Sequence, residues 1–230
     1  MANERFDKEA ATWDSKPFTV ASSKHALGAL LKYVPRLQSD GKALDVLEIG
    51  CGTGLLSLLV SPYVNSLTAV DTSTGMIEAL EAKLAVNPGI SNIKPAQVLL
   101  EHPDDPMIQN PAVAGESPKR FDLIISHLVL HHIPSLQQVL GTMYGCLKPG
   151  GQIALTDFEN FGPEAEKFHP KSKMEGVERH GIARQEMEIL MADANFVDVH
   201  VDEAFRMDKP LESGGSMEFP FVICLGTKGP

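Results

Sequence analysis

From Ala43 onward the chain alternates short apolar runs with stretches whose apolar positions recur every three or four residues. "ALDVLEI", "SLTAVD", "IKPAQVLL", "FDLIISHLVL" and "QIALTDFE" read as five strands in that order. Between them lie "GLLSLLVSPY" and "TSTGMIEALEAKLAVN", where Met76, Ile77, Leu80 and Leu84 repeat with helical period, and "SLQQVLGTMYGCLKPGG", a helix stopped by Pro-Gly-Gly. Strands that are apolar almost throughout are buried on both faces, which predicts a parallel sheet covered by helices. Downstream, "IARQEMEILMADANF" is an amphipathic helix with Met187, Leu190 and Met191 on its core face. The strands "VDVHVDEAF" and "FPFVICLGT" follow with only the polar loop "MDKPLESGGSM" between them, so they are expected to pair antiparallel. The pattern therefore predicts an α/β fold: a doubly wound, mostly parallel seven-stranded sheet with an antiparallel closing strand.

The first forty residues carry no strand pattern. "NERFDKEAATWD" brings Phe6, Ala10 and Trp13 to one helical face. Ser22 or Ser23 is expected to cap a second helix through "KHALGALLKYV", which Pro35 stops. Residues 1–40 thus read as an N-terminal helical lid on one domain covering 41–230. Two connections are long for such a fold, His102 to Lys119 and residues 159–181. Long loops in a compact domain are commonly functional, and 159–181 is read as a substrate-side insertion.

Charge and cysteine usage narrow the partners. Thirty acidic residues against twenty basic ones give a net charge of −10. Such a surface repels nucleic acid, so a small-molecule partner is expected. No apolar run approaches the roughly eighteen residues of a membrane span, and "MANERFDKEAATWDSK" resembles neither a secretory signal nor a transit peptide. Cys51, Cys146 and Cys224 are odd in number and unpaired in spacing, which fits reduced thiols and a cytoplasmic location.

The candidate chemistry starts at "LDVLEIGCGTG". Gly50, Gly52 and Gly54 stand where a buried strand hands over to a helix, a place where glycine lets a ligand approach the main chain. The dinucleotide fingerprint lacks its third glycine, because Leu56 and Ser57 stand there, and the Gly-Lys-Ser/Thr of a phosphate loop is missing. About twenty residues on, Asp71 ends the second strand, where a carboxylate accepts ribose hydroxyls or, alternatively, caps the helix of "TSTGMIEA".

Taken in order, "VLEIGCGTG", "LTAVDTSTGMIE", "FDLIISHLVLHHI" and "LKPGGQIALTD" resemble the successive motifs of class I S-adenosylmethionine-dependent methyltransferases, over about residues 43 to 157. The last two motifs are similar to the ubiquinone/menaquinone-biosynthesis-like small-molecule branch, and "FDKEAATWD" resembles that branch's opening. The resemblance implies a Rossmann-like fold and an enzyme that moves a methyl group from S-adenosylmethionine to an O, N or S atom of a small molecule. It further implies that Gly50, Cys51 and Gly52 pass against the amino-acid part of the cofactor, with Glu48 setting the loop. By the same resemblance Asp71 binds the ribose, Thr72 or Met76 flanks the adenine, and Ser126 and His127 lie by the methionine moiety. The acidic residue that the family places after strand three falls at Glu101 in "LLEHPDD".

Methyl transfer is an in-line displacement in which the protein chiefly aligns and desolvates. A base is needed only where the acceptor arrives protonated. His127 and His180 are the candidate bases, with His169 in the same later segment as His180. Trp13, His131 and His180 are candidate substrate contacts. Trp13 serves equally as a staple for its helix, and His131 and His132 in "LHHI" equally as backbone-bonded turn residues. No metal is expected, since Pro134 breaks any helix carrying ligands and no carboxylate accompanies the histidines at a known spacing. The alternatives are an NAD(P)-binding oxidoreductase and a non-catalytic or protein-methylating partner. The methyl acceptor and the oligomeric state stay open at this level.

Overall fold

The computed structural model describes residues 2–109 and 117–230. Seven strands form one sheet: β1 Asp45–Ile49, β2 Ser66–Asp71, β3 Ile93–Gln97, β4 Phe121–His127, β5 Leu147–Phe158, β6 Phe196–Pro210 and β7 Ser216–Lys228. Their spatial order is β3-β2-β1-β4-β5-β7-β6. β1 pairs in parallel with β2 and β4, β2 with β3, and β4 with β5, whereas β7 is antiparallel to both β5 and β6. The antiparallel strand is therefore inserted one place in from the edge, and β6 closes the sheet.

Successive strand side chains point to opposite faces, and two cores result. Val46, Leu67, Leu123 and Ile125 face one core together with Leu30 and Leu80, while Leu47, Ile49 and Ile124 face the other with Leu140, Met143, Met187 and Met191. The first core is covered by helices α2 Pro17–Tyr33, α4 Leu55–Val60 and α5 Thr74–Ala85; the second by α6 Leu136–Cys146 and α7 Arg184–Asp193. A third cluster, Phe158, Phe168, Met207, Phe219 and Phe221, anchors the segment after β5 onto the long β6–β7 hairpin. Helices α1 Ala2–Trp13 and α3 Arg36–Ser39 complete the described elements longer than a 3-10 turn.

Two local expectations are corrected. The second helix starts at Pro17, with no cap from Ser22 or Ser23. Proline at the first helical position fixes φ and wastes no N–H, and both serine hydroxyls donate back to the Thr19 carbonyl at 3.0 Å. The Pro-Gly-Gly after α6 is not a simple helix stop, because it lies within the β5 run. There Phe121 pairs with Leu147 and Leu123 with Gln152, so residues 148–151 bulge out of register. The connection between β3 and β4 includes residues 110–116, which lie outside the described residues.

β1 lies between β2 on one side and β4 on the other, and this is the point where the winding direction changes. In open α/β sheets ligands bind at the carboxyl ends of the strands at such a point.

Candidate functional site

A cavity of about 990 Å³ opens at those strand ends. Its floor is the β1–α4 turn, where Gly50, Gly52 and Gly54 all have positive φ, at 72°, 53° and 81°. The three glycines have different reasons. A Cβ on Gly50 would fall 2.3 Å from Val129 Cγ2, and one on Gly54 2.3 Å from Leu80 Cδ1, so both serve close packing. A Cβ on Gly52 would meet nothing nearer than Met76 Sδ at 3.9 Å and Trp13 Nε1 at 4.0 Å. It would stand in the cavity.

Four N–H groups of the turn are already spent. Gly50 and Cys51 donate to the Val70 carbonyl at 2.8 and 3.0 Å, Gly54 to the Cys51 carbonyl at 2.9 Å, and Gly52 to Asp71 Oδ2 at 2.8 Å. A phosphate cradle needs such donors free and pointing at the ligand. This turn offers bare main-chain surface instead, with two carboxyl groups beneath and beside it.

Those two are Glu48 and Asp71. Burial pushes the Glu48 carboxyl up to about 8 against the opposing hydrogen bond from Ser57 Oγ, with the Asp71 charge adding to the rise. Burial likewise raises Asp71, opposed by backbone N–H groups of Ser73, Gly52 and Thr72. Asp71 Oδ1 accepts from Ser73 N at 2.9 Å, but the cap of α5 is Ser73, whose Oγ accepts from Met76 N at 3.2 Å. The capping alternative for Asp71 thus passes to its neighbour, and Asp71 is left holding the glycine turn on the cavity wall.

Thr72, Met76, Trp13 and Glu101 also line the cavity, as do Gln97 to Leu100. Trp13 arrives through α1, which is fastened onto the turn and onto α5. Asp7 Oδ1 accepts from Ser73 Oγ at 2.6 Å and from Gly75 N at 3.0 Å, and Thr53 Oγ1 donates to Asp14 at 2.5 Å. Asp14 also pairs with Lys83. At the other end, Arg5 donates to the carbonyls of Lys173 and Glu175, and Lys173 pairs with Glu9 at 2.8 Å, so α1 meets the 159–181 segment across the cavity.

The opposite wall is built of histidines. His127 ends β4, followed by Leu128 at φ 58°, a strained conformation for a leucine. Thr156 Oγ1 donates to the Ser126 carbonyl at 3.2 Å and so accepts from His127 Nδ1 at 2.9 Å, which leaves the lone pair on Nε2. That Nε2 is buried and has no protein partner, and burial pushes the ring's pKa down to about 4. Ser126 is buried with its Oγ unpaired, and it is not among the cavity-lining residues.

His131, His132 and His169 lie together further along the wall. The backbone-bonded reading fits His132, whose Nδ1 is 2.6 Å from the Gly176 carbonyl. It does not fit His131, whose ring meets both oxygens of the buried Asp157, at 2.8 and 3.0 Å. His180 is not on the cavity wall among the described residues; it is half-buried, with Nδ1 lacking a partner. Sequence reasoning missed Asp157, Phe168 and Lys209. Phe168 and Lys209 line the cavity and Asp157 is buried behind His131, yet the pattern of each element is accounted for by sheet or loop and nothing local marks these residues.

A family model described as a methyltransferase domain matches residues 21–201. The lovastatin nonaketide synthase polyketide synthase component of Aspergillus terreus is 32% identical over 136 residues, which are 57% of this chain and 4% of that protein. Malonyl-acyl-carrier-protein O-methyltransferase 1 of Ilyobacter polytropus is 28% identical over 160 residues, 69% of this chain and 52% of that one. The chain thus spans about half of the free-standing relative and a small fraction of the synthase. Among solved structures, the YcgJ protein from Bacillus subtilis superposes with a TM-score of 0.65 at 16% identity, covering 90% of this chain and 99% of that one. Phosphoethanolamine N-methyltransferase 2 of Haemonchus contortus gives 0.64 at 14% identity, covering 90% and 53%. These likenesses show the same fold.

Proposed function

The chain belongs to the family of methyltransferase domains, and from that premise we propose that it transfers a methyl group from S-adenosylmethionine to an oxygen, nitrogen or sulfur atom of a small molecule. The observation that carries the reading is the glycine turn whose N–H groups at 50, 51, 52 and 54 are all paired within the protein. With those four donors taken, the floor is a poor cradle for a pyrophosphate, whereas its bare surface beside two carboxyl groups suits a ligand that brings an ammonium and ribose hydroxyls. The NAD(P) alternative needs the donors that are paired here and is disfavoured.

When bound, S-adenosylmethionine supplies a methyl group on a positively charged sulfur, already activated for displacement. The chain's residues align it. Gly52 leaves room for it against Trp13 and Met76, and Asp71 has acceptor capacity left for the ribose after its backbone bonds. The stretch from Gln97 to Glu101, with Thr72, forms the wall assigned to the adenine. His127 presents the Nε2 lone pair to an acceptor O–H or N–H; with its pKa near 4 it orients the acceptor more than it removes the proton. His180 stays a proposed base only through movement of its segment, whereas Trp13 and His131 line the cavity directly. Helix α1 and the 159–181 segment exclude water from above, which strengthens the electrostatics of the site.

Three buried free cysteines fit a reducing, cytoplasmic setting. No helix among the described residues is long and apolar enough to cross a membrane.

Calorimetric titration with S-adenosylhomocysteine, S-adenosylmethionine and NADH tests the reading. Saturable binding of the first two without heat from NADH is expected; the reverse pattern would overturn it. A radiolabelled-methyl screen across phenols, carboxylates, thiols and amines then identifies the acceptor class.

A further inference from the structure

Three imidazoles from two separate segments converge on the acceptor side of the cavity. His131 and His132 sit in the 3-10 turn Leu130–His132, and His169 comes from the segment after β5. Their ring centroids are 3.9, 4.9 and 5.8 Å apart, and one nitrogen of each lies within 4.8 Å of the others. A tetrahedral ion with bonds of about 2.0–2.1 Å sets a separation of roughly 3.3 Å, so the rings close in when it binds.

On two of the three rings the other nitrogen is arranged as metal sites require. The Gly176 carbonyl can only accept, so His132 Nδ1 carries the proton and Nε2 the lone pair. Asp157, fully buried and also accepting from the backbone N–H groups of His131 and Phe158, fixes His131 in the same tautomer. His169 Nδ1 is buried with no partner at all. A ligating histidine characteristically donates its other N–H to a carboxylate or carbonyl, which orients the ring and raises its basicity. The turn itself is rigid: Arg179 donates to the carbonyls of Leu130, Ile133 and Pro134, and Glu178 N donates to the His131 carbonyl at 2.9 Å. Lys209 and Arg5 stand nearby as positive charges, and the buried Asp157 carboxylate opposes them.

We propose that His131, His132 and His169 bind one divalent transition-metal ion of the zinc type, with an open fourth position facing the cavity that takes an oxygen or sulfur atom of the methyl acceptor. Three imidazoles with an open position are a zinc donor set that activates what occupies the fourth place. The role, though not the binding, rests on the methyl-transfer reading above. An acceptor O–H or S–H held there releases its proton to solvent more readily. The lone pair so exposed attacks the methyl carbon, and the electrons of the breaking C–S bond remain on the cofactor sulfur, which becomes a neutral thioether. No oxidant or reductant is required.

The test uses the full chain, stripped with a chelator and dialysed. Zinc chloride is titrated calorimetrically, and cobalt chloride is followed by its visible d–d bands. One equivalent bound is expected, with intense bands of a low-coordinate cobalt site. His169→Ala and His132→Ala should each weaken zinc at least tenfold, and Asp157→Asn roughly 10–100-fold, with thermal melts confirming that the variants are folded. S-adenosylhomocysteine affinity, measured on the same samples, should not change in His169→Ala. Absence of saturable zinc and cobalt binding in the wild-type chain overturns the proposal, as does binding that His169→Ala and His132→Ala leave unaltered. Absence of S-adenosylhomocysteine binding in the wild-type chain, with metal binding intact, would instead overturn the methyl-transfer reading.

Discussion

Single atoms decide the cofactor side of the cavity. The missing Cβ of Gly52 faces open space, whereas those of Gly50 and Gly54 face packed side chains. Gly52→Ala adds a strain of about 1–2 kcal/mol at its positive φ and places a methyl where the ligand lies. S-adenosylhomocysteine affinity is expected to drop more than tenfold in a protein that still melts cooperatively; unchanged affinity would remove the turn from the site. Asp71→Ala should cost about 1.5–3 kcal/mol of cofactor affinity per charged hydrogen bond lost, read by the same titration. Glu48 carries the pH dependence. Its folded pKa of about 8 lies above the ordinary 4.5, so between those values the unfolded chain releases a proton that the folded chain keeps. Stability from this group is full below pH 4.5 and declines as pH rises to about 8, by an amount on the order of several kcal/mol. Glu48→Gln should flatten that decline, so its melting temperature gains on the wild type more at pH 8 than at pH 5. Parallel curves would show that Glu48 is ionised in both states.

At the scale of elements, α1 is held by its contacts with the start of α5. Asp7 accepts from two groups at that N-terminus, where a carboxylate is also favoured by the helix dipole. Gly75 allows the approach, since a Cβ there would lie 2.9 Å from the Asp7 carbonyl oxygen. Gly75→Ala should therefore lift α1. Hydrogen exchange is expected to accelerate in residues 4–13 and not in β1 or β4, with cofactor binding weakened through Trp13. Equal protection of α1 in both proteins would show that the helix is held by other contacts. The helical period of "NERFDKEAATWD" predicts the α1 face correctly: Ala10 is buried and Phe6 and Trp13 line the cavity. The period could not place that face on the glycine turn, because Asp7 and Asp14 meet partners 39 to 69 residues away. The start of α2 departs from the expected serine cap for a related reason. Serines cap helices only where the chain is not yet helical, and Pro17 starts it earlier.

Over the whole molecule, the sheet order brings β1, β2 and β4 to one rim and the post-β5 segment over it. A ligand that binds only this assembled rim stabilises the folded chain by mass action. S-adenosylhomocysteine at one hundred times its dissociation constant should add about 2.7 kcal/mol, a rise of about 5–10 °C in melting temperature for a chain of this size. No shift at saturation would mean that the cavity is not its site. The net charge of −10 bears on solubility and partner choice, and it has no part in fixing the fold.

By itself the sequence determined what depends on near neighbours: strands apolar on both faces, helical periods, the glycine turn, and a carboxylate one strand later. These follow from local sterics and from burial, which leave their period in the chain. Tertiary structure decided the rest. It set the distinct uses of the three glycines, the transfer of the cap from Asp71 to Ser73, the insertion of β7 inside the edge, and the meeting of His131 with Asp157 and with His169. The approaches of Gly50 to Val129, of Gly54 to Leu80, and of His131 to Asp157 and His169 join residues 26 or more positions apart. A side chain facing a shared cavity carries no periodic mark, because what selects it is the packing of other segments around it.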